Sequence, residues 1–150
     1  MALVFGTAPG SDICLGEDKL QAMRKFANKI WNASRFVLAD PASQNSKRIH
    51  PDDRWILDEL KKTTKQVTNL IEGYRFDLAA EEIYQFFWHT FCDQYIEKTK
   101  KRRHEAQATL LVVLETSLKL LHPFMPFITE AIYQKLPKHN KALIIEKWPK

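Results

Sequence analysis

Glycine is nearly absent from most of this chain. The 150 residues include four glycines, and three of them, Gly6, Gly10 and Gly16, fall within the first sixteen positions. Folds built from many short strands need turn residues at short intervals. Since hydrophobic residues make up 45% of the chain, which suffices for one buried core, the sequence predicts a single all-α domain.

The spacing of apolar residues predicts where the helices lie. They recur at steps of three and four residues, the period of one helix face. Pro51 suits a first helical position, Gly73 a C-cap and Asp77 an N-cap. The result is a helical bundle of four main helices plus a short C-terminal helix. The predicted helices are Glu17–Leu38, Pro51–Glu72, 77–98, 104–121 and 127–136.

The two ends of the chain differ from the bundle in composition. Residues 2–5 are apolar, and a domain that folds alone seldom exposes such a stretch, so we expect a truncation where a neighbouring domain packs. The predicted division is a leading segment 1–16, a helical bundle 17–136 and an extended tail 137–150. We expect no membrane association, because the longest apolar run is far shorter than the ~20 residues of a membrane-spanning helix.

The sequence lacks the patterns of several common catalytic sites. There is no glycine-rich phosphate loop or dinucleotide fingerprint, and the five histidines are scattered. Cys14 and Cys92 form no paired motif, which favours a reduced, cytoplasmic chain over a disulfide or zinc site. The adjacent pairs Asp52–Asp53 and Glu81–Glu82 cannot share a helix face, so we interpret them as solvated surface near helix starts. We expect no catalytic residue and no metal site in this chain.

The outer face of the first predicted helix points instead to RNA. Placed at 100° per residue, Phe36 falls on the polar side of the helix, among amides and cations. An aromatic ring that stacks a base, amides that read its edge and cations that bind phosphate are typical of single-stranded RNA sites. The candidate tRNA-binding residues are Arg24, Lys25, Asn28, Lys29, Asn32, Arg35 and Phe36.

Other interpretations of these residues stay open. Phe36 could pack beneath the following loop, and Trp31, near the edge of the apolar stripe, is interpreted as core. The basic run at residues 98–103 could contact phosphates or form a solvated turn between helices. The net charge of +5, from 23 basic and 18 acidic residues, fits a polyanionic partner without requiring one.

Several blocks of the sequence resemble a known family. They are similar to the anticodon-binding helical bundle of class I aminoacyl-tRNA synthetases of the valyl type, and the last block is shared with leucyl and isoleucyl enzymes. The similar blocks appear in the family's order over nearly the whole chain. They are residues 6–13, 26–36, 53–57, 86–97 and 121–130.

The resemblance implies a function and partners. The family reads anticodon bases largely with the first helix and its aromatic, so Phe36 would stack a base and Asn28 and Asn32 would read base edges. Lys25, Lys29 and Arg35 would bind phosphates or base acceptors. The implied partners are a valine-type tRNA and the catalytic domain of the same parent chain. ATP and Mg²⁺ belong to that catalytic part, whose His-Ile-Gly-His and Lys-Met-Ser-Lys-Ser motifs are absent here, so this fragment is expected to need no cofactor.

Two alternatives remain at this point. The bundle could belong to an isoleucyl- or leucyl-type synthetase, or the chain could be a free-standing helical adaptor that binds other proteins.

The Phe-Cys-Asp-x-Tyr sequence at residues 91–95 is interpreted as helix packing and interhelical hydrogen bonding, because it lies on a broad apolar arc.

Overall fold

A computed structural model describes residues 1–5, 16–39, 49–137 and 141–149. Within those ranges the regular structure is helical throughout, which confirms the all-α class and the bundle. Two of the long helices have the predicted bounds, and a third is divided into successive helical types. The elements are α1 Glu17–Leu38, α2 Pro51–Glu72, α3 Phe76–Gln85, a π-helical segment Phe86–Ile96, α4 Glu97–Thr99, a 3₁₀ turn Lys100–Arg102, α5 Arg103–Leu121, α6 Pro126–Tyr133 and a 3₁₀ turn Leu143–Ile145.

Helix α1 buries one narrow stripe. Its fully buried side chains are Phe26, Ile30 and Val37. At 100° per residue, their mean direction lies about 100° around the helix axis from Leu20 on one side and from Phe36 on the other. Leu20 is 47% exposed although it is apolar. Phe36, on the opposite flank, is half-buried.

Helix α2 begins and ends where the sequence predicts. The His50 side chain accepts a hydrogen bond from the Asp52 amide at 3.2 Å, and Pro51 opens the helix. Gly73 is the C-cap, and its N–H donates to the Asn69 carbonyl. The left-handed backbone conformation falls on the next residue, Tyr74, with φ of 58°.

The predicted third helix is continuous from Phe76 to Thr99 but changes its winding. Asp77 does not cap it: the helix begins at Phe76, and the guanidinium of Arg75 binds the Asp77 carboxylate at 3.1 and 3.2 Å. This hydrogen-bonded pair lowers the pKa of Asp77.

Buried residues explain the change of winding in the π-helical segment. They come in neighbouring pairs that are five and then four residues apart, wider than the 3.6-residue turn of an α-helix and fitting i→i+5 hydrogen bonds. Such winding keeps one broad aromatic face turned to the core. The pairs are Phe86 and Phe87, Phe91 and Cys92, and Tyr95 and Ile96.

The C-terminal part closes the bundle. Helix α5 begins one residue earlier than predicted, and α6 begins at Pro126 and ends at Tyr133 rather than at residue 136. The tail, predicted to be extended, contains the 3₁₀ turn Leu143–Ile145 before an irregular stretch. Trp148 anchors that stretch on α2, because its indole N–H donates to the Thr68 hydroxyl at 2.8 Å.

The first residues also pack onto the bundle. Met1, Val4 and Phe5 are partly buried against the core, and the Phe5 ring lies 5.1 Å from that of Tyr84. Leu3 is 54% exposed. The similar block at residues 6–13, and Cys14, lie outside the described residues. In the part of the chain that is described, no helix is long and apolar enough to span a membrane.

Candidate nucleic-acid interface

An open groove of about 570 Å³ lies at the C-terminal end of α1. It brings together three of the seven predicted site residues, Asn32, Arg35 and Phe36, with cations from α5 and from the turn after α6. The side chains that line it are Asn32, Arg35, Phe36, Leu38, Ala39, Arg103 and Lys135. Among these lining residues none is acidic, so the groove favours a negatively charged ligand.

Phe36 forms part of the groove wall and part of the core edge. Its ring packs against the buried cluster, and the guanidinium carbon of Arg103 lies 4.3 Å from the ring centroid. Arg103 also donates a hydrogen bond from Nη2 to the Phe36 carbonyl. The Phe36 side chain is therefore half-buried: it packs on the core and also lines the groove.

A second cation lies over an aromatic ring nearby. The ammonium of Lys135 is 4.3 Å from the Trp31 ring centroid. Trp31 is half-buried and packs against the core, as expected from its place at the stripe edge. Lys135 is not among the residues predicted from the sequence, because it lies outside the first helix and its position beside α1 depends on how α6 packs.

Three predicted residues lie along the same helix but away from the groove. Arg24, Lys25 and Asn28 are exposed. At 1.5 Å per residue, Asn28 lies about 12 Å and Arg24 about 18 Å from Phe36 along the axis. The groove therefore gathers only part of the predicted set.

Lys29 differs from the other six. Its ammonium binds the Asp93 carboxylate at 2.7 Å and lies 5.2 Å from the centroid of the Trp88 ring. The hydrogen bond that Lys29 donates to Asp93 raises the pKa of Lys29. Its place on the wheel, between the outer face and the buried stripe, turns it toward the π-helical segment, so its contacts join two helices.

The basic run at residues 98–103 is mostly engaged within the protein. Lys98 lies 4.6 Å from the Trp55 ring centroid and 3.5 Å from Asp52, and Lys100 pairs with Glu97 at 2.7 Å. Lys101 is exposed. The three lysines remain exposed, as a solvated turn predicts, whereas the interpretation is wrong for Arg102 and Arg103, whose side chains pack on other elements.

Asp53 is the centre of a buried polar network rather than a solvated surface residue. It is 4% exposed. Its Oδ1 accepts hydrogen bonds from the Tyr95 hydroxyl at 2.7 Å and from Arg102 Nη2 at 2.6 Å. The earlier interpretation was wrong because the partners lie 42 and 49 residues further along the chain. We refer to Asp53, Tyr95 and Arg102 as the buried network.

The Phe-Cys-Asp-x-Tyr sequence performs the packing role predicted for it. Phe91 and Cys92 are buried, while Asp93 and Tyr95 bond to Lys29 of α1 and Asp53 of α2. Burial raises the pKa of the Cys92 thiol to about 12, so it is protonated near neutral pH and a poor nucleophile. Among the described residues no group of three His, Cys, Asp or Glu side chains could hold a metal ion.

Comparison with known proteins identifies the family of this chain. A family model for the anticodon-binding domain of tRNA ligase matches residues 53–150. The chain belongs to this family. Helix α1 and five of the seven residues that line the groove precede the matched residues.

The relatives of the chain match α1 as well. The chain is 48% identical to the valine–tRNA ligase of Thermotoga maritima and 45% identical to that of Pseudothermotoga lettingae, each over 98% of the chain. The valine–tRNA ligase of Carboxydothermus hydrogenoformans is 43% identical over 99% of the chain. The chain spans 18% of the length of each relative. The resemblance to valyl-type synthetases is confirmed.

Proposed function

We propose that this anticodon-binding domain holds the anticodon loop of a valine-type tRNA in the groove at the C-terminal end of α1. The observation that supports the proposal is the convergence of Phe36, Asn32 and Arg35 with Arg103 and Lys135 around one open groove. These residues supply a stacking ring, an amide and three cations, the combination used to bind unpaired bases and their phosphates.

The residues divide into base-reading, phosphate-binding and structural roles. Phe36 stacks a base and Asn32 hydrogen-bonds to its edge, while Arg35 and Lys135 neutralise neighbouring phosphates. Asn28 extends base reading toward the N-terminus of the helix, and Arg24 and Lys25 follow the RNA backbone there. Lys29 contributes chiefly by fixing α1 against the π-helical segment.

The parent enzyme is proposed to be a valine–tRNA ligase. Its catalytic domain, a partner of this bundle in the same chain, would attach valine to tRNA with ATP and Mg²⁺, and the enzyme would act in the cytoplasm. The names of the relatives support this assignment. The bundle would position the tRNA for that reaction rather than perform it.

The central test compares Phe36→Ala with the wild-type domain. Fluorescence anisotropy would measure the Kd for a labelled valine-type anticodon stem-loop. A stacked base contributes about 1–3 kcal/mol, so the variant should bind roughly 5- to 150-fold more weakly. Phe127→Ala is the matched control, because Phe127 is 91% exposed and does not line the groove, and its Kd should not change.

Two further results would contradict the proposal. One is a sharp fall in melting temperature of Phe36→Ala with unchanged RNA affinity, which would make the ring a core residue only. The other is salt-independent, negligible RNA binding by the wild-type domain, which a protein-binding adaptor predicts and an RNA-binding groove excludes. Competition with isoleucine- and leucine-type stem-loops tests the valine assignment.

A further inference from the structure

Two side chains of α5 hold the C-terminal end of α1 in place. Arg103 donates to the Phe36 carbonyl, and Gln107, one turn later, donates from Nε2 to the Val37 carbonyl at 2.8 Å. The last carbonyls of a helix have no partner within it and carry partial negative charge. Arg103 is therefore fixed at a defined position, with its guanidinium carbon 4.3 Å from the centroid of the Phe36 ring.

This arrangement changes what a base meets when it enters the groove. Arg103 is half-buried and lines the same groove as Phe36. A guanidinium is a plane with two faces, and its central carbon lies over the Phe36 ring. Bases stack on guanidinium planes as well as on aromatic rings, and the positive charge adds attraction to RNA.

We propose that Arg103 is a base-stacking residue, so that the anticodon base, the Arg103 guanidinium and the Phe36 ring form three successive layers. The inference rests on the proposed function and revises one contact in it, because the base assigned to Phe36 then stacks on the Arg103 guanidinium and reaches the ring only through it. In the RNA-free protein the lower two layers are already assembled. The ring supports the guanidinium, and the base completes the stack from the groove side.

The first test compares two replacements of Arg103. Arg103→Ala removes the plane and the charge, while Arg103→Lys keeps the charge and removes the plane. We expect Arg103→Ala to weaken binding of the anticodon stem-loop at least about fivefold, as for loss of a stacking contact, and Arg103→Lys to restore little of that loss. Lys101→Ala, an exposed lysine of the same basic run, is the charge-matched control and should change Kd less than about twofold.

The results separate this inference from the proposed function. Wild-type affinity in Arg103→Lys would mean a phosphate contact, and tighter binding by Arg103→Ala would mean that the guanidinium blocks the ring. Either result would overturn the three-layer stack without contradicting the assignment of Phe36 to the binding site. If Phe36→Ala itself binds RNA normally, the groove assignment fails instead.

A double variant tests whether the layers depend on each other. If Arg103 is held on the ring, the losses from Phe36→Ala and Arg103→Ala should be strongly non-additive. Full additivity would overturn the layered arrangement. Circular dichroism should show that Arg103→Ala remains folded, because Gln107 still caps α1. If Arg103→Ala does not fold, Arg103→Met, which keeps the aliphatic part of the side chain, provides the same comparison.

Discussion

Two consecutive arginines take part in regions with opposite properties. Arg102 belongs to the buried network, where its side chain is 14% exposed and binds Asp53 at 2.6 Å. Arg103 lies over the Phe36 ring and lines the open groove. Both cations pack beside aromatic residues, but in the network the principal partner is a buried carboxylate, whereas in the groove it is a ring that borders solvent.

The difference indicates how one basic run can serve stability and binding together. A charge enclosed with its counter-ion contributes by staying paired, because removing either partner leaves the other uncompensated. A cation supported by an aromatic ring at a groove keeps a surface that another molecule can contact. The network should therefore determine the free energy of unfolding, and the groove should determine RNA affinity.

The largest expected effect is that of Asp53→Ala on stability. It leaves the Arg102 guanidinium and the Tyr95 hydroxyl without their buried acceptor, so the free energy of unfolding should fall by about 3–5 kcal/mol, measured by urea denaturation. RNA affinity should stay within about threefold of wild type at a temperature where the variant is folded. A fall in affinity as large as that of Phe36→Ala would show that the two regions are not separable.

The neighbouring carboxylate supplies the control for that measurement. The Asp52 side chain is 30% exposed and lies 3.5 Å from the ammonium of Lys98 and 3.8 Å from Arg102 Nη2, solvent-accessible pairs of the kind that contribute less than about 1 kcal/mol each. Asp52→Ala should therefore remain close to wild-type stability. Equal losses for Asp52→Ala and Asp53→Ala would argue against a special role for the buried carboxylate.

An intermediate effect is expected for Tyr95→Phe. The ring and its packing remain, and only the hydroxyl that donates to Asp53 at 2.7 Å is lost. A hydrogen bond to a charged group contributes about 1.5–3 kcal/mol, and Arg102 still binds the carboxylate, so we expect a loss near the lower end by the same urea measurement. A loss equal to that of Asp53→Ala would mean that the hydroxyl, not the ion pair, holds the network together.

The sequence predicted this fold well where local pattern decides it. The bounds of α1 and α2 follow from apolar periodicity and from Pro51, features within a few residues of each other. The cap assigned to Asp77 was wrong because Arg75, two residues earlier, binds that carboxylate. The π-helical segment was missed, although the pairs of buried residues five and four positions apart were a usable signal.

The site was predicted less completely because it joins distant parts of the chain. Asn32, Arg35 and Phe36 share one helix, so their convergence could be read from a wheel. Arg103 enters the groove from 67 residues away, and its neighbour Arg102 points into the buried network instead. Nothing in a run of consecutive basic residues distinguishes those two directions before α5 is placed against α1 and α2.

The smallest expected effect separates two lysines of α1 that were predicted to act alike. Lys25 is exposed, whereas Lys29 pairs with Asp93 of the neighbouring helix. If Lys25 contacts a phosphate of single-stranded RNA, Lys25→Met should reduce the slope of log Kd against log salt by about 0.7 and leave stability unchanged. Lys29→Met should leave the slope unchanged.

Lys29→Met should instead reduce stability by about 0.2–1 kcal/mol, the range for a partly exposed ion pair. The hydrogen bond that Lys29 donates to Asp93 raises the pKa of Lys29 above its ordinary value of 10.5, so this contribution is fully present below pH 10.5 and is lost only as pH rises through the raised value. The stability difference between Lys29→Met and wild type should therefore be constant from pH 6 to 9. A reduced salt slope in Lys29→Met would show that Lys29 also contacts RNA. Its pairing with Asp93 would then not distinguish the role of Lys29 from that of Lys25.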